Sequence, residues 1–323
     1  MASNTNSTNS TAPQMISAQI GIGILTLAFV LGFPGNLFVV WSVVCRVKKR
    51  SVTCLLVLNL AVADALVLLS APFFLRYLAG GQGWEFGSAA CKLVHYLSSV
   101  NMYVSIYLIC LMSMDRCLAV TRPFVSQKIR TKRSLLFLLL GVWILAFLLS
   151  LPMPFYRSVL KSPKNNMSGC IPYHWKSVAH PVFQYIFETI MGCLVPFTLI
   201  NTCYSSVICR LRSAMFQRKG QSSRLILLII SAFAVFWLPY HIVNIIEAAH
   251  TSARLGSASW ASSLRVPIQR AGPHLFPAAA AAALHQMRAL SCTRSLSKWG
   301  SLSKARTEAR AGVQWSRRLM RLN

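Results

Sequence analysis

Acidic residues are nearly absent from this chain. Six occur in 323 residues: Asp64, Glu85, Asp115, Glu188, Glu247 and Glu308. Charged residues of both signs make up 12% of the whole, against roughly 25% in a soluble domain. A deficit of that size excludes an ordinary water-facing globule and goes with lipid-facing surface. The ten cysteines include no Cys-x-x-Cys pair of the metal-binding kind. Most lie in apolar runs, where a thiol is a small hydrophobe. There is no phosphate-binding loop, no nucleophile elbow and no zinc spacing, so neither an enzyme nor a metal centre is expected. A channel or transporter needs a pore loop or inverted repeats, and the chain has neither.

What it has is hydrophobic length. Of its residues 55% are hydrophobic, and mean hydropathy is +0.53. Runs of about 20 apolar residues fit a bilayer, and six are readable, near 17–44, 52–78, 88–121, 134–156, 180–211 and 222–249. The first is too long, and too far from a cleavage-like site, to be a signal peptide. The net charge of +27 does not point to nucleic acid, because the basic residues sit in short loops between spans. Fourteen Lys and Arg fall in the first, third and fifth loops and six on the opposite side. The positive-inside bias makes the first set cytoplasmic and the N-terminus extracellular. Acceptor sequons at Asn6, Asn9 and Asn166 all fall on the outer side. Cys91 begins the third span on that side, and Cys170 lies in the second outer loop. An oxidising compartment would let them pair.

Ionisable groups inside a membrane are expensive and mark function by default. Asp64 sits in the middle of span two, with Asn36 and Ser105 as polar partners on spans one and three. It reads either as a cation or proton site that biases two packings, or as a hydrogen-bonded knot holding helices together. Asp115 and Arg116 end span three. They are a switch, in which Arg116 pairs with Asp115 or swings toward a cytoplasmic partner, or an interfacial pair that snorkels. Pro34, Pro72, Pro152, Pro196 and Pro239 each interrupt a span and free a carbonyl. Trp237, next to the last of these, is a lever or ordinary packing. The outer half of the bundle gathers His95, Tyr103, Arg157, Glu188, Tyr240, His241 and Asn244. With the outer-loop lysines these describe an apolar-walled pocket suited to an amphipathic anion with a long hydrocarbon body.

Gly35-Asn36, Leu60-Ala61-Val62-Ala63-Asp64, Cys91, Asp115-Arg116-Cys117, Trp143, Pro196 with Tyr204, and Phe236-Trp237-Leu238-Pro239 occur in order. Together they resemble the rhodopsin-like (class A) G-protein-coupled receptors. Pro34-Gly35-Asn36, Ala71-Pro72-Phe73-Phe74-Leu75, Arg122 to Lys128, and Trp237 to His241 look most like the leukotriene B4 receptors of the chemoattractant group. The resemblance covers about residues 17–250 and implies an all-α membrane bundle of the seven-transmembrane type. It implies leukotriene B4 or a similar lipid as ligand, and an inhibitory-class heterotrimeric G protein as partner. It assigns ligand contact to His95, Arg157, Glu188, Tyr240 and Asn244, to which the reading of the outer half adds Tyr103. The activation switch falls to Asp115, Arg116, Tyr204, Trp237 and Pro239. A sodium ion, as allosteric modulator, would use Asn36, Asp64 and Ser105. The third residue of the family's Asp-Arg-Tyr triplet is here Cys117.

The resemblance stops near Thr251. No Asn-Pro-x-x-Tyr follows span six, and no 18-residue apolar run is readable after it. The stretch from 251 to 323 carries twelve Lys and Arg with one acid, Glu308. One account is a reading-frame change near residue 250, with Ala278 to Ala283 as the relic of a serine run; the other is a real but unusual tail. Ala309 to Trp315 resembles translated interspersed-repeat sequence. The organisation expected is an outer N-terminus over 1–16, a bundle over 17–250 and a basic, disordered tail over 251–323. Two functions follow. One is a plasma-membrane chemoattractant receptor. The other is a non-signalling remnant, held in the endoplasmic reticulum, that at most associates with the intact receptor.

Overall fold

The computed structural model describes residues 12–47, 52–162, 167–175, 177, 179–213 and 237–252. Asn6, Asn9, Asn166, the first half of span six and the tail beyond 252 lie outside the described residues. Among the described residues, five helices are long and apolar enough to cross a membrane: Gln19–Arg46, Cys54–Ala79, Gly87–Thr121, Lys132–Phe155 and Ala179–Arg210. These are spans one to five. Part of span six is described as a helix over 237–252. The fold is the all-α membrane bundle expected. Helix already begins at Ala12, inside the stretch assigned to an outer arm.

Span three is the axis of the bundle. Its 35 residues rise about 52 Å at 1.5 Å each, well beyond a ~30 Å hydrocarbon core. Tyr103, Val104, Ile106 and Leu108 on it have no exposed surface and centre the largest core cluster. Span four shows the opposite face. Leu136, Phe137 and Leu140 are more than half exposed, as lipid-facing side chains are when every backbone group is already satisfied within the helix. Thr131 caps its start by accepting from the Ser134 amide at 3.2 Å. Span four is also tied to span two, where Trp143 Nε1 donates to Asn59 Oδ1 at 3.2 Å.

Two of the prolines act through a wider turn. A proline frees the carbonyl four residues before it: Val30 for Pro34, and Gly192 for Pro196. Both carbonyls fall inside π-helical segments, Ala28–Gly32 and Ile190–Leu194, which absorb one extra residue each. Pro72 and Pro152 break their spans instead, at Leu69–Ser70 and Ser150–Leu151. Ser70 Oγ returns a hydrogen bond to the Val67 carbonyl at 2.6 Å.

The second outer loop was expected only as a loop. It folds as an antiparallel hairpin of β1 (Arg157–Lys161) and β2 (Ser168–Pro172), with Arg157 opposite Pro172 and Val159 opposite Cys170. Cys170 on β2 is bonded to Cys91 on span three, as expected, with Cα atoms 5.8 Å apart. A closure over 79 residues stabilises the fold by on the order of 4 kcal/mol in the chain-entropy picture. Gly83 holds the hairpin edge from the other side. Its φ is +85° and a Cβ there would strike the Ser168 backbone, so only glycine fits beside the Trp84 amide bond to Ser168 O at 2.7 Å.

Candidate functional site

The outer half of the bundle buries an unusual amount of polarity. Arg157, Gln184, Glu188, His241 and Asn244 are all at most 3% exposed. Glu188, on span five, organises them. Its Oε2 accepts from Tyr240 Oη at 2.5 Å and from Asn244 Nδ2 at 3.3 Å. Its Oε1 accepts from Gln184 Nε2 at 2.8 Å. Gln184 and Glu188 are one helical turn apart, so both face inward. Gln184 in turn accepts from His174 Nε2 at 2.8 Å, which couples the outer loop to the carboxylate. Burial pulls His174 below the ordinary histidine value, with the Gln184 bond opposing it.

Arg157 stands outside the hydrogen bonds around Glu188. It begins β1 directly above span four and is 1% exposed, yet Nε, Nη1 and Nη2 have no hydrogen-bond partner among the described residues. Burial lowers its pKa. Glu188, Tyr240, Tyr185 and Tyr77 oppose that shift across space. Buried charges are normally paired, so a guanidinium fork with unspent donors is an anion receptor awaiting an acceptor. Two further residues join it. Tyr103 Oη and both His241 ring nitrogens are buried and unpartnered. His241 lies on the π-helical turn of span five, where a Cβ on Gly192 would come within 3.0 Å of its ring.

His95 faces the disulfide. Its Nδ1 donates to the Cys91 carbonyl at 2.9 Å, and Cys170 Sγ is 3.5 Å away. Cys91, His95 and Cys170 are close enough to bind a metal, but the disulfide consumes both thiolates, and a metal thiolate site needs them free.

A sequence profile of the rhodopsin family of seven-transmembrane receptors matches residues 35–266. The chain belongs to that family. Its members are receptors, not enzymes. Leukotriene B4 receptor 1 from Homo sapiens is 49% identical over 252 residues, covering 77% of this chain and 71% of the relative. The Rattus norvegicus protein of the same name is 50% identical over 255 residues, 78% and 72% of the two chains. Leukotriene B4 receptor 2 from Homo sapiens is 39% identical over 237 residues, 72% and 64%. This receptor is a multi-pass membrane protein.

In this receptor the two polar residues expected around Asp64 do not both converge on it. Ser105 Oγ donates to Asp64 Oδ1 at 3.5 Å. Asn36 turns away and bonds its own helix, at Gly32 O, 3.0 Å. Asn101, which the sequence reading missed, lies against Asp64 instead. The oxygens Asp64 Oδ2 and Asn101 Oδ1 are both unpartnered among the described residues. Asn101 is one turn before Ser105, and that spacing on the buried face of span three was the available signal.

Of the two arrangements read for Arg116, paired with Asp115 or swung away from it, the paired one is not formed. Asp115 is held by Arg130 of the next loop, Nε to Oδ1 at 2.7 Å and Nη2 to Oδ2 at 2.5 Å. The two-bond fork closes over a carboxylate better than a neighbour on the same helix, because adjacent helical side chains do not face each other. Arg116 is left exposed. Tyr204 and Trp237 are buried in the main core cluster, and Pro239 is exposed.

Proposed function

We propose that this chain recognises leukotriene B4 or a closely similar acidic lipid chemoattractant, and that it addresses an inhibitory-class heterotrimeric G protein. The observation that carries the ligand class is Arg157, a fully buried cation with unused donors. A carboxylate would take two of them side by side. Glu188, already held by Tyr240, Gln184 and Asn244, keeps the ligand's anionic end on the arginine side by repulsion. Tyr103, His95, Tyr240 and Asn244 line the path of its hydroxyls and chain. Relatives named as leukotriene B4 receptors support the assignment. Membranes bearing the full chain should bind leukotriene B4 much more tightly than its uncharged methyl ester. Equal affinity for acid and ester refutes the anion assignment.

In this reading the N-terminus, Asn6, Asn9 and Asn166 face the outside of the plasma membrane and the Asp115–Arg130 end faces the cytoplasm, an orientation supported by the excess of Lys and Arg in the first, third and fifth loops. Asp115, Arg116, Tyr204, Trp237 and Pro239 form the switch in this reading. A sodium ion against Asp64 would use the free Asp64 and Asn101 oxygens with Ser105, oxygen donors of the kind a hard cation takes, rather than Asn36.

A second reading rests on the sequence after Thr251, where no Asn-Pro-x-x-Tyr and no seventh apolar span is readable. In it the chain stays inside the cell and does not activate a G protein. Asp64 would lack its remaining partners in a medium where unsatisfied polar groups cost several kcal/mol. Leukotriene-dependent nucleotide exchange by the purified 323-residue chain decides between the two: exchange eliminates the second reading, and a bound but inactive receptor eliminates the G-protein coupling of the first.

A further inference from the structure

A cavity lies at the opposite end of the bundle from Arg157. It holds about 100 Å³ between the ends of spans two, three and four and the loop joining three to four. Its walls are Val52, Leu56, Leu111, Leu118, Leu135 and Leu138. Leu56 and Leu135 at its back are buried, while Met114 and Leu138 at its edge are 39% and 47% exposed. The opening is therefore sideways, onto the lipid-facing surface, and not into the bundle interior. That volume is below the ~150 Å³ of a dry apolar cavity that admits benzene, so it takes a few methylenes of a chain that continues outside.

The mouth is polar and basic. Arg130, Asp115 and Ser134 line it. Arg130 spends Nε and Nη2 on Asp115, and a guanidinium has five N–H donors, so others remain for a second acceptor. Arg122, Lys128, Lys132 and Arg133 stand around it, all exposed, and no acid occurs between 122 and 133. Basic pockets between spans on the cytoplasmic side suit anionic lipid headgroups.

We propose that this cavity is a binding site for an anionic phospholipid of the surrounding leaflet, its acyl chain between Leu111, Leu118 and Leu135 and its phosphate on Arg130 beside Asp115. The lipid bridges span three to the following loop at the Asp115–Arg130 pair, next to Arg116. The site does not depend on which lipid the outer pocket takes.

The test uses the full chain in nanodiscs containing phosphatidylserine or phosphatidylcholine that carries a photoreactive group in the acyl chain, with the labelled peptides mapped. Because both leaflets carry the probe, a wrong assignment of topology or of the outer ligand leaves the result unaffected. The serine lipid should label the 111–118 and 135–138 stretches about fivefold more than the choline lipid, as one basic contact implies. Leu135→Trp, which fills the cavity, should abolish the labelling, and Arg130→Gln should abolish the preference while sparing the labelling. Equal labelling by both lipids in the unmodified chain overturns the proposal. So does labelling that persists in Leu135→Trp.

Discussion

Replacing Arg157 by methionine keeps much of the apolar stem and removes the guanidinium. In the unliganded protein that charge is 1% exposed and its three nitrogens have no hydrogen-bond partner among the described residues. Its removal takes away no hydrogen bond, and relief of the desolvation cost, the largest influence on this charge, outweighs the lost attraction to Glu188, so the empty protein should melt no lower than the parent. The liganded protein loses more. A hydrogen bond to a charged group contributes about 1.5–3 kcal/mol net. Arg157 is already dehydrated, so its own side adds little further cost when a carboxylate arrives. We expect leukotriene B4 to lose about 3 kcal/mol, roughly 150-fold in affinity. The methyl ester, which offers no anion, should lose under about threefold. Competition binding on membranes, with acid and ester compared in both proteins, reads the difference. Thermal unfolding of the empty proteins reads the other half. Equal losses for acid and ester, or a lower melting temperature for the empty variant, would show that Arg157 holds the fold rather than the ligand.

Cys91→Ser, Cys170→Ser and the double variant should lose surface expression to the same degree, because each removes the one bond between span three and β2; additive losses would mean that the two are not paired. His174 should make stability fall in acid. Its folded-state pKa is depressed by burial, so the unfolded chain takes the proton first. The stability is present above the ordinary value of about 6.5 and is lost as pH drops below it toward the folded value. The charged ring would face Arg157 and His180, with Tyr156, Tyr185 and Gln184 as its other neighbours. His174→Gln should flatten the melting profile between about pH 7 and 5, and an unchanged slope counts against this account. Gln184→Leu should cost about 1–3 kcal/mol of stability, because it strands both His174 Nε2 and Glu188 Oε1; a neutral effect on unfolding would show that water replaces the amide.

The spans were legible because lipid removes most alternatives. A bilayer demands unbroken apolar length, and the hydropathy of 88–121 and 134–156 lands within two residues of the helices Gly87–Thr121 and Lys132–Phe155. The buried ionisable residues were legible for the same reason: Asp64, Arg157 and Glu188 stand out in an apolar run and are all at most 3% exposed. What each of them touches was not. Sequence adjacency suggested Arg116 for Asp115, whereas the fold delivers Arg130 from 15 positions away. Asn36 looked like a partner for Asp64 because both are polar in apolar surroundings, but an amide in a helix can satisfy itself on the preceding turn, and Asn36 does so. The hairpin of the outer loop was hidden because its two strands are five residues each and carry no clean alternation.

The π-helical turn at Ile190–Leu194 separates the two ends of span five in a way that bears on how such a receptor can change over generations. Glu188 above the turn and Tyr204 below it are both buried, at 3% and 2% exposure. In an uninterrupted helix sixteen steps of 100° would set them roughly 160° apart, one toward lipid. Absorbing one residue brings them to about 60°, and both face inward. The turn thus works as a rotary joint. Gaining or losing a residue there would spin the upper half against the lower by a quarter-turn or so. A lineage could re-aim its recognition end in one mutational step while the end near Tyr204 kept its orientation.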